Sequence, residues 1–264
     1  MEKELLRKEY VFDEPNGRGN NKDGVDRWIQ MLEKHLKSNN PYICSITQNV
    51  ELLKRISPNF TIFKSEKSFF LVAFNALTIN INDDKNYLIL SHEYGHALHN
   101  ILLKDSMPDN YDKIIENAKE HCKDPEVNQR FSKLVRVICN REDSKDMVGR
   151  DPFSDIISAI YQASGFNTKD GDIMLPAYHN TKDYMDDQNN IDYKKVFREH
   201  IADFFALEAN NCTEEISMLR DFFGEEFVNT LDYQFIKMNE VINVTKNYYS
   251  NNKAENTEET KFAI

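Results

Sequence analysis

Apolar positions recur along this chain with two different periods, and the change of period divides it. Trp28, Met31, Leu32 and Leu36 fall at three-to-four spacing, which predicts a first helix over about 24–38, with His35 at the edge of its apolar stripe in a structural place. Ser38-Asn39-Asn40-Pro41 ends that helix, and a short amphipathic segment runs from Thr47 to Ile56 before Ser57-Pro58. Between 59 and 82 the period shortens. NFTIFK, SFFLVAF and NALTININ are rich in β-branched and aromatic residues, and Leu77, Ile79 and Ile81 alternate with Thr78, Asn80 and Asn82. The pattern predicts two or three antiparallel strands, the last an edge strand with one face buried and the other solvated.

Asp83-Asp84 opens a helix of about 84–102, because acids favour the positive end of a helix. Helical spacing returns over about 110–140, 152–165, 194–209, 213–223 and 225–249, while 166–192 is polar, tyrosine-bearing and aperiodic. The expected organisation is a flexible lead-in over 1–23, one α+β domain over 24–249 and a disordered tail over 250–264. Its small antiparallel sheet precedes a mainly helical C-terminal half.

Composition narrows the partners. Among 264 residues, 33 Lys+Arg against 44 Asp+Glu give a net charge of −11, which argues against a nucleic-acid surface and against adsorption to anionic membrane. No apolar run reaches the ~18 residues of a membrane span, and the charged N-terminus does not read as a secretory signal. The four cysteines lie far apart without a CxxC, so neither a disulfide framework nor a thiolate zinc knot is expected. A reducing compartment is the default.

The chemistry concentrates in LSHEYGHALHN. His92 and His96, four apart on a helix, differ by about 40° in azimuth and about 6 Å in rise, so both imidazoles can face one metal ion. Glu93 beside them can reach a water on that ion and take its proton. Two solvated histidines on an amphipathic helix would give the same letters. Chance produces them in about one or two per hundred such sequences, and the helical context lowers that further.

A catalytic zinc of this kind takes three protein ligands and leaves its fourth position to water. His99 continues the run, but it lies about 10.5 Å along the axis from His92, too far to share an ion bound at about 2 Å. A metzincin would carry Gly at 99 and His at 102, where this chain has His99 and Leu102. The third ligand therefore comes from another element. In YKKVFREHIADFFALEAN, Phe197, Ile201, Phe204 and Phe205 form one face, with Glu199 and Asp203 four apart beside it. Such acids are often only a solvated flank. Here they also supply what is missing, Glu199 as the metal ligand and Asp203 as the acceptor for a ligand histidine's other N–H. His200 points about 100° away from Glu199 and reads as structural.

HEYGHAL followed by EHIADFFAL resembles the gluzincin class of zinc metallopeptidases, whose third ligand is the Glu of an E-x-x-x-[DE] helix. The aromatic-rich helix and the two after it are similar to the catalytic domain of anthrax lethal factor. Over roughly 90–240, the order HEYGHAL, FSDIISAI, AYHNTKDYM, EHIADFFAL is similar to metallopeptidase-like domains of tailed-phage minor head proteins. The loop of that family usually carries Gly-His-Gly, where this chain has Ala177-Tyr178-His179-Asn180. The resemblance implies a zincin-like fold and a His or Tyr that stabilises the developing oxyanion, a contribution of about 3–4 kcal/mol. Tyr193 is the first choice, six residues before Glu199 and near where lethal-factor-like proteins place such a tyrosine; His179 and Tyr184 are the alternatives.

These readings converge on a metalloendopeptidase with one Zn2+ per chain, held by His92, His96 and Glu199. Glu93 is the base, and a peptide or protein substrate lies extended along the Leu77–Ile81 edge. The phage likeness implies phage head components as partners and a cytoplasmic or virion-associated location. Two alternatives stand beside it: a toxin- or effector-type protease, and a non-catalytic metal-binding head protein.

Overall fold

The computed structural model describes residues 22–65, 67–80, 87–140, 143, 145–163, 184–188 and 190–259. The helix α1 spans Lys22–His35, starting inside the expected lead-in, most of which (1–21) lies outside the described residues. Asn40-Pro41 does more than end a helix. Pro41 opens α2 (Pro41–Gln48), where its missing N–H costs nothing, and the Asn40 side chain accepts from the Tyr42 and Ile43 N–H groups. A one-turn helix α3 (Leu52–Ile56) then leads into the strands.

Three strands form as expected, β1 (Thr61–Ser65), β2 (Phe69–Leu71) and β3 (Ala76–Asn80), but their arrangement departs from the pattern. The sheet is mixed, in the order β1-β3-β2, with β1 parallel and β2 antiparallel to β3. The strand expected at the edge is therefore the central one, and Leu77–Ile79 offers no free edge to a peptide; Ile81 lies outside the described residues. Nor is one of its faces solvated. Thr78 is buried because its hydroxyl accepts from Phe69 N–H at 2.9 Å and donates to the Lys67 carbonyl at 2.8 Å. A polar side chain satisfied within its own sheet has no need of water.

The long helix α4 (Tyr87–Leu103) follows, beginning after the undescribed residues 81–86. Twelve of its seventeen residues are buried, which makes it a core helix rather than a surface one. The helices α5 (Tyr111–Cys122) and α6 (Pro125–Cys139) divide the predicted 110–140 stretch at Asp124-Pro125, where Asp124 caps α6. Next come α7 (Arg150–Ala163), α8 (Tyr193–Ala209), α9 (Thr213–Phe223) and α10 (Glu225–Glu259). The last helix runs through much of the tail expected to be disordered, since 225–259 contains neither Gly nor Pro to stop it. Residues 260–264 are outside the described residues.

The architecture is α+β, with α4 crossing α8 at its centre. At the crossing a Cβ on Gly95 would lie 3.0 Å from the Ala202 Cα, so only glycine lets the two backbones come this close. Beside the crossing, Trp28 of α1 and Phe205 of α8 pack edge-on against buried Tyr94. Among the described residues no helix is long and apolar enough to cross a membrane.

Candidate metal centre

The close approach at Gly95 and Ala202 explains how residues more than a hundred positions apart meet. His92 and His96 flank Gly95 on α4, while Glu199 and Asp203 flank Ala202 on α8. Locking the glycine against the alanine brings the two pairs face to face. His92, His96 and Glu199 form a group whose ligand atoms lie close enough to share one ion. His92 Nε2 is 3.1 Å from His96 Nε2 and 3.6 Å from Glu199 Oε2, and His96 Nε2 is 3.0 Å from the same oxygen.

Those three lengths can be set against what an ion would require. Bonds of about 2.0–2.1 Å in a tetrahedral site place neighbouring ligand atoms about 3.3–3.4 Å apart. The observed edges straddle that length. The alternative is a proton network, and the proton count works against it. His92 Nδ1–H donates to Asp203 Oδ1 at 2.7 Å, which leaves the Nε2 lone pair of His92 pointing into the cluster. A single N–H on His96 Nε2 can satisfy one edge of the triangle well. A cation satisfies all three at once, so the donor set fits a metal in number, type and spacing.

The surroundings support that set. His92 and His96 are 1 % and 5 % exposed and Asp203 is fully buried, so the imidazole–carboxylate bond that orients His92 is shielded from water. Glu93 is not part of the triangle. Its Oε2 accepts from the backbone N–H of Phe70 at 2.7 Å, which places the carboxylate between α4 and β2. β2 pairs with β3 on one side only, so this N–H belongs to its outer edge.

The other predicted residues are distributed unevenly. Tyr193 stands at the start of α8 with its hydroxyl donating to Glu116 on α5 at 2.5 Å, and Glu116 is 52 % exposed. Its six-residue lead over Glu199 also puts it about 120° away around the helix. The first choice of oxyanion donor is thus turned to another partner. His179 lies outside the described residues. Tyr184 is buried, donates to Asp155 Oδ1 at 2.6 Å and stands in the field of both Asp203 and Glu199. Burial first, and then those carboxylates, hold its hydroxyl well above the ordinary tyrosine pKa.

His99 and His200 are enclosed away from the triangle. His99 Nε2–H donates to the Ser106 carbonyl at 3.0 Å, and the Tyr111 hydroxyl donates to His200 Nδ1 at 2.6 Å. Burial pushes the His200 pKa down to about 4 and lowers that of His99. Two participants were missed from sequence: the Phe70 N–H, which no side-chain pattern announces, and Asp155. The second left a trace, as the only charged residue from Pro152 to Ala163. No family model, curated protein or solved structure matches this chain.

Proposed function

We propose that the chain is a zinc metalloendopeptidase of gluzincin type with a zincin-like fold. The observation that carries the reading is the triangle of His92, His96 and Glu199 ligand atoms, with edges of 3.0–3.6 Å beside a carboxylate that is not a ligand. Zinc in that triangle would supply Lewis acidity, polarising the scissile carbonyl and acidifying a water.

The protein's own groups do the rest. Asp203 fixes the tautomer and ring plane of His92. Glu93 takes a proton from the attacking water and returns it to the leaving amine, a role worth about 10²–10⁴-fold in rate. A peptide substrate lies extended along the outer edge of β2, beside Glu93, rather than along β3, whose two edges are both occupied. The Tyr193 and Tyr184 hydroxyls donate to Glu116 and Asp155, so neither is assigned to the oxyanion.

The test is incubation of wild type and Glu93→Gln with an unbiased peptide library. Cleavage by wild type and its loss in a variant that still holds zinc is the expected result. Cleavage by neither protein, with zinc present in both, would leave a metal-binding protein without turnover.

A further inference from the structure

The helix α7 contributes no metal donor, yet it packs on α8 and buries a carboxylate at that contact. Asp155 is fully buried, as is Asp203 on the facing helix. A buried carboxylate is costly unless hydrogen-bonded, and Asp155 accepts the Tyr184 hydroxyl at 2.6 Å. Tyr184 in turn is tied to the start of α8: its carbonyl accepts the N–H of Asp192 at 2.9 Å. Asp192 is the cap of α8, with its side chain on the Lys194 and Lys195 N–H groups. The turn between them is closed by the Met185–Ile191 bridge and by Asp186, whose carboxylate accepts from the Gln188 and Asn190 N–H groups. Tyr184 thus grips α7 with its hydroxyl and the cap of α8 with its carbonyl.

The Tyr184 hydroxyl also lies within electrostatic range of the ligand-bearing turn. The carboxylates of Asp203 and Glu199 both act on the Tyr184 hydroxyl, and those of Asp155 and Glu199 both act on His200. Asp155, Tyr184, Glu199 and Asp203 therefore occupy one neighbourhood between α7 and α8. We infer that Asp155 is a positioning residue: through its hydrogen bond to Tyr184 it braces α8 against α7 and fixes where Glu199 and Asp203 stand relative to the two histidines of α4. The brace rests on the metal-site reading given above and adds a layer behind Asp203.

Full-length protein is titrated with Zn2+ in competition with a chromophoric chelator, and with Co2+ while the visible absorption bands are recorded. Tyr184→Phe, which removes one oxygen, should weaken zinc by about tenfold or more, the size seen when groups supporting a ligand are removed, and should shift the Co2+ bands. Asp155→Ala should do the same, and the double variant should bind no worse than the weaker single one, since the Asp155–Tyr184 bond is lost in every case. Asp155→Asn keeps an oxygen that accepts from Tyr184 and should retain affinity close to wild type. A merely structural role would lower thermal stability and leave both the affinity and the Co2+ bands alone. Wild-type affinity and unshifted bands in Tyr184→Phe overturn the inference, even if Asp155→Ala fails to fold. Absence of metal binding by wild type overturns the metal-site reading itself, and this inference with it.

Discussion

Five histidines are buried among the described residues, and they fall into two regions that treat them in opposite ways. His35, His99 and His200 each have a hydrogen-bond partner of their own, the Ser91 hydroxyl at 2.8 Å, the Ser106 carbonyl and the Tyr111 hydroxyl, and His99 Nδ1 also lies 3.5 Å from Asp105 Oδ1. Aromatic rings close around them, Tyr94 and Phe205 against His35, Phe197 against His99 and Phe227 against His200. His92 and His96 instead point their ring nitrogens at each other and at Glu199. In the first arrangement one ring nitrogen of each histidine meets a hydroxyl or carbonyl that can pair with it. The second crowds lone pairs together and becomes favourable when something positive sits among them. Burial alone therefore does not separate a ligand histidine from a core one; what the nitrogens face does.

The largest effect that sharpens this contrast is the response of an enclosed histidine to acid. Burial, and then the charge of Lys34, lower the His35 pKa from 6.5 to about 3. The folded state thus resists a proton that the unfolded chain accepts. Stability from keeping His35 neutral is full above about pH 6.5 and is lost as the pH falls towards 3, roughly 3–5 kcal/mol over the whole window. Denaturant unfolding of metal-free protein at pH 7 and pH 4.5 should show wild type losing roughly 2–3 kcal/mol more than His35→Gln. Equal losses would mean that His35 is not held neutral as its surroundings imply.

On the other side of the contrast, Asp203→Asn should weaken zinc by about 10–100-fold without removing the site, because the amide holds His92 less firmly than the carboxylate does. An unchanged affinity would place Asp203 outside the metal's support. The smallest effect is expected at Tyr193. Tyr193→Phe should cost about 0.5–1.5 kcal/mol of stability, the size of one hydrogen bond, and leave zinc affinity unchanged, since its hydroxyl is committed to Glu116. A drop in turnover with zinc and stability intact would restore Tyr193 as the oxyanion donor.

What could be read from the sequence followed the range of the interaction that decides it. His92, Glu93 and His96 sit within five residues of one helix, so helical geometry alone fixes their relation. Glu199 and Asp203 were legible for the same reason, as two acids one turn apart beside an apolar stripe. The commitment of Tyr193 to Glu116 was not legible, because a count of residues along one helix does not show a partner on α5, 77 positions away in sequence. Thr78 misled because its hydroxyl is satisfied by the backbone of the next strand, a pairing that alternation cannot register. The parallel pairing of β1 with β3 is set by contacts between strands, which local period does not encode. Asn40-Pro41 carries two signals at once, a stop for the helix before it and, through the Asn40 cap and the proline, a start for α2.

The central claim is that α4 and α8 together make one metal site from His92, His96 and Glu199, and the zinc content of purified protein tests it most directly. Elemental analysis should find about one zinc per chain in wild type and in His99→Ala, and none retained by His96→Ala or Glu199→Ala after dialysis. Stoichiometric zinc in Glu199→Ala, together with its loss from His179→Ala, would contradict the assignment and move the third ligand off α8.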